Sequence, residues 1–230
     1  MLTALMSGDF EELWELLLDM VIYTLPIIVV SLTFHELAHA FISYKLGDPT
    51  AKEEGRLTFN PLKHIDPVGF VLLLLFGFGW AKPVPVRLRW YKHPKLDFAI
   101  TALAGPIANL VLALLGALLL PLSMLLLAQF NNVFTGYLVN FLFEFIYMNV
   151  ALAVFNLIPI PPLDGSRIIM AFLPDRIYVA VLKYERYISI GLMVLIVTGL
   201  LDKPLTAAIS FVFTPFYKLA TALFGLFAGM

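Results

Sequence analysis

The stretch "VSLTFHELAHAFISYKLG", residues 30–47, decides how this chain is read. Val, Leu, Phe, Ala and Ile dominate it, yet His35, Glu36 and His39 stand in its middle. Ionisable groups are costly to bury in any apolar setting and need a specific reason where lipid replaces water. Spacing supplies a reason. Residues one helical turn apart share a face, so His35 and His39 can present both imidazoles to one metal ion. Glu36 lies beside that ion without having to bind it. The pattern is H-E-x-x-H, in which the glutamate acts as general base toward water on a zinc ion. Two hydrogen-bonded core histidines are the bland alternative. Their place inside an apolar span favours the metal.

Composition carries the reading outward from that helix. Of 230 residues 61% are hydrophobic and 13% charged. A soluble domain has about 45–50% apolar and about 25% charged residues. This supply of charge does not cover a soluble surface, and a multi-pass protein of the cell membrane is expected, in contact with the lipid bilayer. A net charge of −1 gives no basis for nucleic-acid binding. With no cysteine, disulfides and thiolate metal sites are excluded.

Hydropathy and proline divide the chain as one domain, 1–230. Residues 1–19 read as an interfacial segment, since "FEELWELLLDM" (10–20) is acidic and amphipathic and lacks the basic start of a signal peptide. A core over 20–173 and two C-terminal spans within 187–227 follow. The expected fold is an α-helical membrane protein with about five spans, at about 20–46, 97–127, 137 to the prolines after Asn156, 187–201 and 205–227. "VGFVLLLLFGFGW" (68–80) is too short to cross and has basic residues on both sides, which predicts a re-entrant or half-buried helix. Small membrane-associated β segments are expected at "GRLTF" (55–59) and "PVPVRL" (83–88). Either offers an extended edge to a substrate, with Val84 and Val86 as backbone partners. The loops 45–65, 81–95 and 167–186 are basic, whereas 129–136 has no Lys or Arg. That bias predicts cytoplasmic basic loops, an outside N-terminus and a cytoplasmic C-terminus.

Zinc takes a third protein ligand and keeps one position open. His64 and His93 sit in polar loops and read more simply as solvated histidines. Glu144 lies in an apolar span. Asp164 is the best candidate, because "NLIPIPPLDG" (156–165) breaks a helix there, and broken backbone at membrane depth occurs inside protein or around a wet cavity. Helix rise sets the depth. His35 precedes Leu46, and Asp164 precedes Asp175, by the same number of residues, so both come to about 17 Å from a basic end.

"FHELAHA" (34–40) and "NLIPIPPLDG" together resemble the site-2 protease family of intramembrane zinc metalloproteases. "GRLTFNPLKHIDPVG" (55–69), "GWAKPVPV" (79–86) and "AGPIANL" (104–110) resemble its short prokaryotic members, without the PDZ or CBS module that many relatives carry. The resemblance implies one zinc per chain held by His35, His39 and Asp164, with Glu36 as catalytic base. It also implies that Asn156 helps position substrate or the oxyanion. Asn109 would face the site from the second span, or serve only as a helix-packing hydrogen bond. The implied reaction is peptide hydrolysis within the transmembrane segments of single-span proteins. Two other classes compete: a silent member that only binds membrane proteins, and a transporter. The intact motifs argue against the first and the lack of an internal repeat against the second.

Overall fold

In the computed structural model the described residues are 10–76 and 79–229. Residues 1–9 of the expected interfacial segment, and residues 77–78 of the expected half-buried helix, lie outside them. Helix α1 (Phe10–Asp19), a π-helical turn (Met20–Thr24) and α2 (Leu25–Lys45) follow without interruption. After α3 (Thr50–Glu53) and a 3₁₀ turn (Pro61–Lys63) come α4 (Pro67–Phe76), a second 3₁₀ turn (Leu88–Trp90), α5 (Pro94–Phe130) and α6 (Val133–Asn156). The chain ends with α7 (Asp164–Met170), α8 (Asp175–Val197) and α9 (Asp202–Ala228).

Local chemistry sets the boundaries. Pro94 opens α5, where a missing N–H costs nothing, and the Asp97 carboxylate accepts the His93 N–H at 2.9 Å. Asn131 ends α5 in the left-handed region at φ 40°. Asn132 and Thr135 then form a capping box that starts α6. A turn that short folds α5 and α6 into an antiparallel pair. Their seam is made of small residues, with Ala113 and Ala117 fully buried beside Ile146 and Val150. A Cβ on Gly116 would come within 2.8 Å of the Ile146 side chain, so glycine is what lets the helices close there. Ile209 and Ala220 of α9 complete this cluster.

Two expectations are corrected. Among the described residues no β-strand forms; a single antiparallel bridge joins Ile65 to Ala81. The physical reason lies in segment 82–87. Pro83 and Pro85 have no N–H, and side chains take up the groups a ladder would use. Arg56 donates to the Lys82 and Pro83 carbonyls, Glu36 accepts the Val84 N–H, and Asp48 accepts the Arg87 N–H. Segment 55–59 is irregular as well.

The span count is corrected too. Four described helices are long and apolar enough to cross a membrane: Trp14–Lys45, Pro94–Phe130, Val133–Asn156 and Asp202–Ala228. Residues 187–197 of the expected span at 187–201 are the second half of α8, whose first half carries Asp175, Arg176, Lys183, Glu185 and Arg186. Helix α4 is about 15 Å long at 1.5 Å per residue, and the Ile65–Ala81 bridge returns the chain to the level from which α4 left.

Candidate metal centre

Three donor atoms meet between α2, α5 and α7. His35 Nε2 and His39 Nε2 are 3.0 Å apart, and Asp164 Oδ2 lies 3.2 and 3.3 Å from them. Both histidines are buried, at 4% and 8% exposed. The helix repeat stacks them on one face of α2, and the break after Asn156 delivers Asp164. Pro159, Pro161 and Pro162 stop α6 and the chain re-enters as α7 at Asp164 itself. Gly165 makes the re-entry tight, since a Cβ there would overlap the Leu157 carbonyl.

The tautomers follow from the partners. His39 Nδ1 is 2.7 Å from the Thr101 carbonyl oxygen, which can only accept. His35 Nδ1 is 2.6 Å from Asn109 Oδ1. Asn109 is fixed in that orientation, because its Nδ2 donates to the Ser31 carbonyl and to Asn149 Oδ1, and Asn149 Nδ2 donates to the Phe145 carbonyl. Both Nδ1 atoms therefore carry the protons, and both Nε2 atoms turn lone pairs toward a carboxylate. Asp164 Oδ2 is buried and has no hydrogen-bond donor. With neutral imidazoles, three acceptors converge on one point, an arrangement that suits a cation. The edge of a tetrahedron with bonds of about 2.0–2.1 Å is about 3.3–3.4 Å, close to the separations here.

Space for an ion is kept by Gly105 of α5, where a Cβ would collide with the Nε2 atoms of both histidines. Beyond Thr101 the polar chain continues. Thr101 Oγ1 pairs with the Tyr91 hydroxyl, which pairs with Ser43 Oγ, which donates to Asp48. Burial pushes the Tyr91 phenol up, so it stays protonated.

The opposite side of the centre is a cavity of about 300 Å³. Glu36, Asn156, Trp80, Leu152, Ser189 and Met193 contribute to its wall. Glu36 is held by one hydrogen bond, from the Val84 N–H at 3.2 Å. Asn156 donates to the Leu152 carbonyl of its own helix at 3.0 Å.

The residues singled out by sequence separate accordingly. His35, His39 and Asp164 come together, with Glu36 next to them. Asn156 lines the cavity. Asn109 stands behind His35, completely buried, and orients it. Val84 supports Glu36 through its N–H, and Val86 continues the same extended segment. His64 is 1% exposed and donates to the Thr58 carbonyl, a buried tether where a solvated histidine was expected. His93 and Glu144 are exposed and outside the cluster. Asn149, Thr101 and Gly105 are site residues the sequence reading missed. An amide in the middle of an apolar helix, as at Asn149, was the one available signal.

The family model for peptidase family M50 matches residues 23–200, which contain every group described above. YwhC of Bacillus subtilis strain 168, whose name marks it as a candidate zinc metalloprotease, is 46% identical over 187 residues, covering 80% of this chain and 84% of that protein. Rip2 of Mycolicibacterium smegmatis, named in the same way, is 31% identical over 180 residues, covering 76% of this chain and 66% of that protein. MJ0611 of Methanocaldococcus jannaschii, also so named, is 34% identical over 137 residues, covering 59% of this chain and 63% of that protein. No solved structure matches the chain.

Proposed function

Because the chain belongs to peptidase family M50, the site-2 protease family, and is a zinc metalloprotease of the membrane, we propose that it cuts single-span proteins within their transmembrane segments. His35, His39 and Asp164 hold the zinc, and Glu36 is the general base. One observation carries the reading: three lone-pair donors converge at membrane depth beside a buried glutamate and open onto a largely apolar cavity.

When bound, zinc supplies Lewis acidity toward a carbonyl and lowers the pKa of water to about 7. The chain's own residues do the rest. Thr101 and Asn109 hold the imidazoles in the donor tautomer. The Val84 N–H fixes Glu36 Oε2, and the Glu36 carboxylate takes the proton of the attacking water and returns it to the leaving amine. The apolar wall excludes bulk water. An intact substrate helix hides its scissile carbonyl in its own hydrogen bonds, so the segment unwinds before it reaches the site.

The basic loops are assigned to the cytoplasm and the N-terminus to the outside, by the bias of Lys and Arg. Single cysteines at Lys52 and Lys92 should label from one side, and a cysteine at Asn132 from the other. The function is tested by reconstituting the purified chain in liposomes with a single-span reporter and mapping the products by mass. Cleavage inside the span, abolished by chelation and restored by zinc, is the expected result. Cleavage confined to soluble loops would overturn the proposal.

A further inference from the structure

We infer that Arg56 is a positioning residue for the general base, acting through the peptide 82–84; the inference rests on the assignment of Glu36 above. Arg56 precedes "LTF" in a basic loop, where an arginine is ordinarily solvated. It is instead 3% exposed. One terminal nitrogen donates to both the Lys82 and the Pro83 carbonyls. The peptide whose Pro83 carbonyl Arg56 holds also carries the Val84 N–H, which donates to Glu36 Oε2 at 3.2 Å. A guanidinium only donates, so the two carbonyls are what Arg56 can grip. Gripping them fixes the peptide plane that aims the Val84 N–H.

The two ends of this segment are fastened by the same loop. The His64 carbonyl accepts the Lys82 N–H at 2.8 Å, and the fully buried Asp48 carboxylate accepts the Arg87 N–H at 2.7 Å. With no strand partner among the described residues, segment 82–87 is held by Glu36, Asp48, Arg56 and His64. Arg56 is the member that holds the peptide carrying the Val84 N–H. Burial pushes its guanidinium down from the ordinary value, and Glu36 is the acid that acts most strongly in the other direction. No salt bridge joins the two, so Arg56 reaches Glu36 through the fixed Val84 N–H rather than by a direct contact.

The test measures kcat, KM and zinc content for cleavage of the single-span reporter. Arg56→Met should lower kcat at least tenfold with KM and zinc unchanged. Arg56→Lys keeps the charge and one donor nitrogen and should recover most of the rate. Val84→Pro removes the N–H while leaving an extended backbone, and should be at least as damaging as Arg56→Met. The double variant Arg56→Met/Val84→Pro should be no slower than Val84→Pro alone, because both act on one hydrogen bond. If the methionine variant does not accumulate, Arg56→Gln with and without Val84→Pro decides by the same rule. Losses that multiply, a raised KM at normal kcat, or a wild-type rate in Arg56→Met would overturn the inference. A wild-type chain that does not cleave the reporter would instead overturn the proposed function, so the two failures are distinct.

Discussion

The metal centre has two faces built on opposite terms. Toward α5 and α6 the polar groups are paired: the Thr101 carbonyl with His39, Asn109 with His35, and Asn149 with Asn109, with Gly105 packed against both rings. Toward α8 the groups are spare. Among the described residues Glu36 accepts one hydrogen bond, Asn156 turns back on its own helix, and the remaining wall is mostly apolar. The closed face fixes where lone pairs point, and the open face leaves reactive groups to the substrate. Substitutions behind the histidines should therefore cost metal, and those in front should cost turnover with the metal in place.

Gly105→Ala should break the closed face most severely. Its methyl group occupies the space between the two Nε2 atoms, so zinc and cleavage should both be lost while helicity is kept. Elemental analysis and circular dichroism check this, and a zinc-loaded Gly105→Ala would show that the face is softer than it looks. Asn109→Ala should weaken zinc about 10–100-fold, the usual cost of removing an outer partner of a ligand histidine; chelator competition reads it directly. On the open side, Gly or Pro placed in the scissile segment of a substrate should speed cleavage. Each helix breaker removes about 1–3 kcal/mol of unwinding cost. Equal rates for a poly-Leu helix and its Gly-Pro version would remove unwinding from the mechanism. Ser189→Ala should be the mildest change, under about twofold, because the Ser189 hydroxyl is already spent on the Glu185 carbonyl. A larger loss would mean that this wall recognises substrate by more than shape.

The open face was the more legible in sequence. H-E-x-x-H on a helix and an aspartate after a proline break are local patterns, and each states its chemistry in a few adjacent residues. The closed face is made of contacts between helices. A backbone carbonyl such as that of Thr101 has no side-chain signature, and Gly105 shows its purpose only when two imidazoles stand against it. His64 looked like a solvated loop residue because burial of a loop depends on what folds over it. The β expectation failed at 83–88 for a related reason. The extended conformation followed from Pro83 and Pro85, but its partners are the side chains of Glu36, Asp48 and Arg56, which strand propensity does not register. The fifth span failed because α8 joins a charged half to an apolar half in one helix.

The division between the faces is tested most directly by Glu36→Gln, with zinc per chain and reporter cleavage measured on the same purified sample. The amide keeps the shape of the side chain and its acceptor oxygen for the Val84 N–H, and removes only the capacity to take a proton. The expected result is one zinc per chain, as in the wild type, with cleavage reduced about 10²–10⁴-fold. Loss of zinc would make Glu36 a ligand, and retained cleavage would remove it as the base; either would contradict the account.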